Sequence, residues 1–192
     1  DPKEFPVPDE NKRDPHAAIY AAAPERGLEL LLEAWPEIRK AVPDATLRVY
    51  YSWELTEKVL KQRPNADLSA LLAKLRAGFE ALKDQGVTYL GGVDHKTLNE
   101  AYRTSGVWTF PPERFNEISC ISALRAQASG CWPVIIPTGA LPETCPNGTH
   151  VSLDSDRPAM VKRFTEAVID KMLPHPPTPI VRAGVRTFAV SQ

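Results

Sequence analysis

The chain has 192 residues, with 23 Lys and Arg against 24 Asp and Glu, and a formal net charge of −1. That length suits one domain with a substantial core, and the balanced charge gives no electrostatic reason to expect nucleic acid or an anionic membrane as a partner. No apolar run reaches the roughly 20 residues that span a bilayer, and no signal-peptide pattern is present, so we expect a soluble, cytoplasmic protein without a transmembrane segment.

Proline-rich segments bracket the chain, within residues 1–15 and again from residue 174 onward. Prolines at such density favour linkers over regular structure. The composition therefore predicts three parts. These are a linker or partner-domain connection at 1–15, a domain at 16–175, and a truncated tail at 176–192.

Between these ends the apolar pattern alternates between strand and helix periodicities. Strands are predicted at 17–23, 47–51, 87–90, 107–110 and 133–136, with a sixth candidate at 151–153. Helices are predicted at 28–38, 68–82, 97–102, 118–128 and 161–172, where apolar residues recur at helical spacing. Such alternation implies right-handed crossovers, and hence an α/β fold with a Rossmann-like parallel sheet and helices on both faces. Ligands of such sheets bind beyond the carboxyl ends of the strands.

The loops after four of the predicted strands hold the least ordinary residues, at 24–27, 91–95, 115–117 and 139–143. Around them lie the strings PERGLELLLEAWPEI, PDATLRVYY, FNEISCISALRAQASGCWPVI and GALPETCPNG. These strings resemble the C-terminal domain of glycosyltransferase family four, whose members are retaining GT-B enzymes. The resemblance runs from about Ile19 to Val151. It implies that this domain binds a nucleoside-diphosphate sugar, and that an N-terminal domain absent from this chain helps to hold the acceptor.

The hallmark of that family is a Glu, seven residues and a second Glu, at the opening of a helix. Glu117 matches the first Glu, and the resemblance implies a catalytic-site carboxylate that accepts hydrogen bonds from the hydroxyls of the donor sugar. An ordinary acidic residue in the first turn of a helix is the alternative. The position of the second Glu holds Arg125, which cannot accept hydrogen bonds. The implied ribose contact is therefore remade or lost, unless Arg125 simply lies on a solvated helix face.

A second family feature is a pair of cations that clamps the diphosphate. Arg26 and Gly27 occupy the Lys-Gly position, and a guanidinium binds phosphate in bidentate fashion. The Arg expected five residues earlier is Ala21, so half of the clamp is missing. The family's Gly-Gly-x-x-Glu loop, whose small residues permit close backbone approach, is matched by Gly139, Ala140, Leu141 and Glu143. Glu143 grips the nucleoside side or closes the helix, or else serves only as part of a turn and cap.

Other residue types give weaker indications. Cys120, Cys131 and Cys145 are odd in number and fit no zinc spacing, so we expect reduced thiols, no metal site and no cofactor beyond the donor substrate. His95 follows Asp94 in a loop, where a lone histidine is usually solvated. Two rival functions stay open at this point. One is half of a sugar-nucleotide epimerase, and the other is a non-catalytic GT-B-like module in which Ala21 and Arg125 mark lost activity.

Overall fold

A computed structural model describes residues 5, 7–173 and 176–192 of the chain. Six strands form one parallel sheet in the order β3-β2-β1-β4-β5-β6. The strand order reverses at the centre of the sheet, where β1 and β4 are neighbours. The strands are β1 (Asp14–Tyr20), β2 (Thr46–Val49), β3 (Val87–Tyr89), β4 (Ser105–Phe110), β5 (Trp132–Ile135) and β6 (Thr149–His150).

Helices cover both faces of the sheet. The helices α1, α3 and α7 pack together on one face, and α4, α5 and α8 pack on the other. The predicted Rossmann-like α/β fold is therefore confirmed. The helices are α1 (Leu28–Ala41), α2 (Trp53–Gln62), α3 (Ala66–Leu82), α4 (His95–Thr104), α5 (Ile121–Ala128), α6 (Leu141–Thr144), α7 (Arg157–Met172) and α8 (Pro179–Ser191).

The central strands are apolar on both sides because both sides are covered. All six residues of β4 are buried, as are the last four residues of β1. A strand that is buried on both faces reads as a continuous apolar run rather than as an alternation. Trp35 from α1 and Trp108 from β4 are fully buried, which places large side chains in the core beside the central strands.

Several elements differ from the sequence prediction, among them α2, α5 and the sixth strand. The pattern does not predict α2, in which Leu55 and Val59 face solvent and Thr56 is the one buried residue. The helix predicted from residue 118 begins at Ile121, which leaves Glu117 in an irregular loop. The sixth strand pairs with β5 at Thr149–His150, just before the predicted residues 151–153.

Two buried arginines, one near each end of the described chain, contact the amino edge of the sheet. Arg13 is buried, and its guanidinium donates to the carbonyl oxygens of Ser105 at 2.7 Å and Ser129 at 2.9 Å. Arg182 of α8 is also buried and donates to the carbonyl oxygens of Gly106 at 2.8 Å and Gly130 at 2.9 Å. The pattern does not predict α8, which forms within the expected tail. Residues 1–4 and 6 of the predicted linker, and residues 174 and 175 at the predicted domain boundary, lie outside the described residues.

Candidate functional site

The carboxyl edge of the sheet has a crevice between β1 and β4. The chain leaves β1 toward α1 on one face and leaves β4 toward α5 on the other, so the two loops diverge there. Such a switch point is where ligands bind in open α/β sheets. Arg26 from the first loop and Glu117 from the second form an ion pair, with Nη1 and Oε1 2.9 Å apart. The side chain of Glu117 is 2% exposed and that of Arg26 is 34% exposed, so the cation is the partner that solvent reaches.

Two further contacts hold Arg26 in the crevice. Its guanidinium carbon lies 4.2 Å from the centre of the Phe115 ring, within the range of a cation–π interaction. Gly27, which follows it, has a φ of 96°, and a Cβ atom there would lie 1.8 Å from the carbonyl oxygen of Pro111. Only glycine permits this close approach of the two loops. The Gly27 position is therefore explained by packing between the loops that carry Arg26 and Glu117.

The loop after β5 supports Glu117 through its backbone. Gly139 has a φ of 55°, and a Cβ atom there would lie 2.1 Å from the carbonyl oxygen of Glu117. The amide of Ala140 donates to that same oxygen at 2.7 Å. Thr138 Oγ1 donates to the carbonyl oxygen of Phe115 at 2.8 Å. The small residues of this loop thus allow close approach to the main chain of Glu117.

The remaining predicted residues of that loop lie in two environments. Leu141 is fully buried and anchors α6 in the core. Glu143 is exposed on α6 and accepts no side-chain hydrogen bond within the described part of the chain. The structure therefore joins Arg26, Gly27, Glu117, Gly139 and Ala140 in one contact network, whereas the carboxylate of Glu143 faces solvent.

Arg125 faces α4 rather than the Arg26–Glu117 pair. Its Nη1 donates to Asn99 Oδ1 at 3.3 Å and its Nη2 donates to His95 Nδ1 at 3.2 Å. The structure thereby joins two residues that the sequence pattern leaves separate, since His95 and Arg125 lie on different helices.

The helix termini at the crevice lack side-chain caps. Side chains of Ser52, Asn65, Asp94, Asp156 and Thr178 accept hydrogen bonds from the first turns of α2, α3, α4, α7 and α8. No described side chain does so for α1, which begins after Gly27, or for α5, which begins after Cys120. The first N–H groups of α1 have no side-chain acceptor among the described residues, whereas at α5 the amide of Ala123 donates to the carbonyl oxygen of Cys120 at 3.0 Å. The positive ends of both helix dipoles lie beside β1 and β4.

The other titratable groups beneath the crevice are neutral. Burial raises the pKa of Tyr20 well above its usual value, and the carboxylates of Glu25 and Glu117 act in the same direction. Burial also raises the pKa of the Cys120 thiol to about 12. The Tyr20 hydroxyl donates to the carbonyl oxygen of Ala23 at 2.7 Å. The local charges are therefore those of Arg26, Glu117 and exposed residues such as Glu25.

A cavity of about 740 Å³ adjoins the crevice between the β1–α1 loop, the β4–α5 loop and the N-terminal half of α3, with Gly27, Asn65, Lys74, Glu113 and Phe115 among its lining residues. Arg157, at the start of α7, fixes one wall by donating to Glu113, with Nε and Oε2 3.1 Å apart. Sequence reasoning missed this pair because its members are distant in the chain and neither lies in a motif. Its effect is to anchor the loop that carries Phe115 and Glu117.

The described residues contain no group of three or more His, Cys, Asp or Glu placed to hold a metal ion. Nor does the described part of the chain contain a helix that is long and apolar enough to cross a bilayer.

Comparison with known proteins assigns the chain to a family. The model of the family described as glycosyl transferases group 1 matches residues 16–170. This chain belongs to that family. The predicted resemblance to a GT-B glycosyltransferase domain is thereby confirmed. A search of curated proteins finds no match.

Solved structures of other proteins share this fold. The pneumococcal O-GlcNAc transferase GtfA, in complex with UDP and GlcNAc, has a TM-score of 0.70 and 16% identity over 96% of this chain and 34% of its own. An E. coli trehalose-6-phosphate protein bound with UDP-2-fluoro glucose has a TM-score of 0.70 and 14% identity over 100% of this chain and 46% of its own. Sucrose-phosphate synthase from Thermosynechococcus elongatus has a TM-score of 0.66 and 16% identity over 100% of this chain and 45% of its own. The chain thus spans less than half the length of these neighbours.

Proposed function

We propose that this glycosyltransferase domain binds a nucleoside-diphosphate sugar in the crevice between β1 and β4, as the donor-binding half of a retaining, metal-independent enzyme. The observation that carries the proposal is the Arg26–Glu117 ion pair, which joins the two loops at the switch point. A cation and a carboxylate side by side complement a ligand that carries an anionic group next to hydroxyls. A sugar diphosphate has both.

The two side chains suit different parts of the ligand. Arg26 is partly exposed and offers a guanidinium fork, which suits the oxygens of a diphosphate. Glu117 accepts hydrogen bonds only, which suits the hydroxyls of a hexose. Binding would exchange the internal ion pair for these two contacts. The uncapped first turns of α1 and α5 supply further N–H donors for the phosphates.

Transfer breaks the bond between the anomeric carbon and a diphosphate oxygen and forms one to an acceptor oxygen, which gives up its proton, while negative charge develops on the leaving diphosphate. Arg26, once released from Glu117, and the N–H groups at the start of α5 would stabilise that charge. The proposed roles of Arg125, Gly139, Ala140, Leu141 and Glu143 are secondary. Arg125 serves the phosphate, the backbone at 139–141 positions Glu117, and Glu143 closes the nucleoside side.

The acceptor and the second wall of the cleft are assigned to a separate N-terminal domain. The structural neighbours are longer than this chain by more than a factor of two, and two of them were determined with UDP or a UDP-sugar. By analogy we propose a nucleotide sugar as the donor here, with the base, the sugar and the acceptor unassigned. The cytoplasmic location expected from the sequence belongs to the same proposal.

Calorimetric titration of the chain with a panel of nucleoside diphosphates and their sugars tests the proposal. We expect tighter binding when the sugar is present, and at least about ten-fold loss of affinity in Arg26→Gln, since a hydrogen bond to a charged group contributes about 1.5–3 kcal/mol. Arg103→Gln is a matched control, because Arg103 is similarly exposed and also paired with a carboxylate, Glu100, but on α4. Absence of binding to every member of the panel would favour the non-catalytic module.

A further inference from the structure

Arg125 is a partly buried cation without a carboxylate partner in the described part of the chain. Its two side-chain contacts are Asn99 Oδ1 at 3.3 Å and His95 Nδ1 at 3.2 Å, and both acceptors are uncharged when His95 is neutral. Other arginines of the domain, such as Arg26, Arg103 and Arg157, are paired with glutamates. The neutral partners orient the guanidinium of Arg125 but do not neutralise it.

The contact with Arg125 also determines which nitrogen of His95 carries the proton. A guanidinium can only donate, so Nδ1 of His95 accepts and the proton of the neutral ring lies on Nε2. The His95 side chain is exposed at the first residue of α4, which leaves Nε2–H as a donor toward solvent. Asn99, by contrast, is buried and serves as a fixed support.

Asp94, the acidic residue next to His95 in the sequence, does not pair with Arg125 or His95. Asp94 caps α4, with Oδ1 accepting from the Thr97 amide at 2.9 Å and Oδ2 accepting from Thr97 Oγ1 at 2.9 Å. Its two carboxylate oxygens are therefore already engaged. Lys96, next to His95, is exposed and adds a further positive charge near the start of α4.

We propose that Arg125 and His95 together form a phosphoryl-binding subsite at the α4–α5 junction, apart from Arg26. The outward groups of this pair are all N–H donors, so a ligand group that only accepts fits it better than hydroxyls do. A phosphoryl group is such a ligand, and the guanidinium offers five N–H donors, of which described residues engage two. That the phosphoryl group belongs to the donor's diphosphate rests on the proposed function, whereas the subsite itself does not.

Inorganic pyrophosphate and orthophosphate are the probes for the test. Long-range proton–nitrogen NMR spectra follow the His95 ring in the parent, in Arg125→Gln and in the control Arg103→Gln, and calorimetric titration measures the affinity of these proteins and of His95→Gln for both probes. We expect a neutral Nε2–H signal for His95 that shifts saturably with pyrophosphate. Affinity should fall about ten-fold or more in Arg125→Gln and less in His95→Gln, because only the first variant removes a charge. Arg103→Gln should match the parent.

The outcomes separate this subsite from the proposed function. A His95 signal that does not move with pyrophosphate, or equal losses in Arg125→Gln and Arg103→Gln, would overturn the subsite. Loss of nucleoside-diphosphate binding in Arg26→Gln but not in Arg125→Gln would overturn the assignment of the donor's diphosphate to this subsite and leave the donor proposal standing. Pyrophosphate binding that depends on Arg125, without any binding of sugar nucleotides, would support the subsite and overturn the donor proposal. His95→Gln changes an exposed residue, so it tests the pair even if Arg125→Gln does not fold.

Discussion

Gly139 lies against the main chain of Glu117, so closely that a Cβ atom at position 139 would stand 2.1 Å from the Glu117 carbonyl oxygen and 2.7 Å from its amide nitrogen. The amide of Ala140 donates to the same carbonyl oxygen. The loop after β5 therefore sets where the carboxylate of Glu117 sits. A change in this loop acts on the candidate site through the backbone.

Gly139→Ala should destabilise the domain, because φ at Gly139 is 55° and the added methyl group meets backbone atoms. The left-handed conformation alone costs about 1–2 kcal/mol for a residue other than glycine, and the clash adds to it. Gly184→Ala is the control. Gly184 lies inside α8 with nothing within 4 Å of the added atom, so we expect a gain of about 0.5–1 kcal/mol. Urea unfolding of both variants measures the difference, and equal effects would contradict the packing described here.

Glu117→Ala should weaken binding of the sugar nucleotide while leaving the bare nucleoside diphosphate nearly unaffected. The carboxylate is assigned to the hexose, and its removal frees Arg26 for the diphosphate. A lost hydrogen bond to a charged group costs about 1.5–3 kcal/mol, which is roughly ten-fold or more in affinity. Calorimetry with both ligands checks this. Equal losses for the two would remove the assignment of Glu117.

Arg125→Ala should weaken binding of a nucleoside diphosphate more than binding of the nucleoside, and more at low than at high ionic strength, because salt screens an exposed charge. Arg125→Glu restores the family's residue. It should nevertheless bind the diphosphate less tightly than Arg125→Ala, since the carboxylate adds repulsion where the second clamp cation is replaced by Ala21. Titrations at two ionic strengths measure both effects. Tighter binding by Arg125→Glu than by the parent would show that the ribose contact dominates.

The three cysteines should resist thiol reagents at pH 8 in the folded protein. All three are buried and free. Burial raises the pKa of Cys120 to about 12 and that of Cys131 to about 11, and it raises the pKa of Cys145 as well. The reactive thiolate is therefore scarce below these values. Colorimetric thiol titration should show slow reaction in buffer and rapid reaction in urea, and one fast thiol in buffer would contradict the burial.

The same raised pKa values set the direction of a stability change at alkaline pH. Unfolded thiols ionise near 9.0, whereas the folded ones hold their protons to about 11 and 12. Their contribution to the free energy of unfolding is therefore full below pH 9 and is lost as the pH rises through that window. Urea unfolding at stepwise higher pH should show this decline.

This chain on its own should fold but transfer no sugar. Six strands form one sheet that helices cover on both faces, whereas the proposed cleft has one wall in this chain. Incubation with a sugar nucleotide and a panel of acceptors, after purification away from other proteins, checks the expectation by release of the nucleoside diphosphate. Turnover with an acceptor would contradict the half-enzyme proposal.

Much of the fold is predictable from local patterns. The strands at the centre of the sheet are short apolar runs, and α1, α3 and α7 carry regular apolar stripes, so periodicity finds them. Three helices escape the same reasoning, and one of them, α6, has only four residues. In α2 the exposed Leu55 and Val59 interrupt the apolar pattern by which a helix is recognised. The α8 helix follows prolines that indicate a linker.

The α/β class and the Rossmann-like sheet follow from periodicity within short segments of the sequence, and the resemblance to family motifs singles out Arg26 and Glu117. Which side chains meet depends on the tertiary structure. It paired Arg26 with Glu117, Gly139 with the Glu117 backbone and Arg125 with His95. The members of the first two pairs lie in different loops, and the neighbouring positions of β1, β4 and β5 in the sheet bring those loops together. Arg125 and His95 meet because α5 packs against α4. Contacts across a sheet edge depend on that strand order, which periodicity in the chain does not encode.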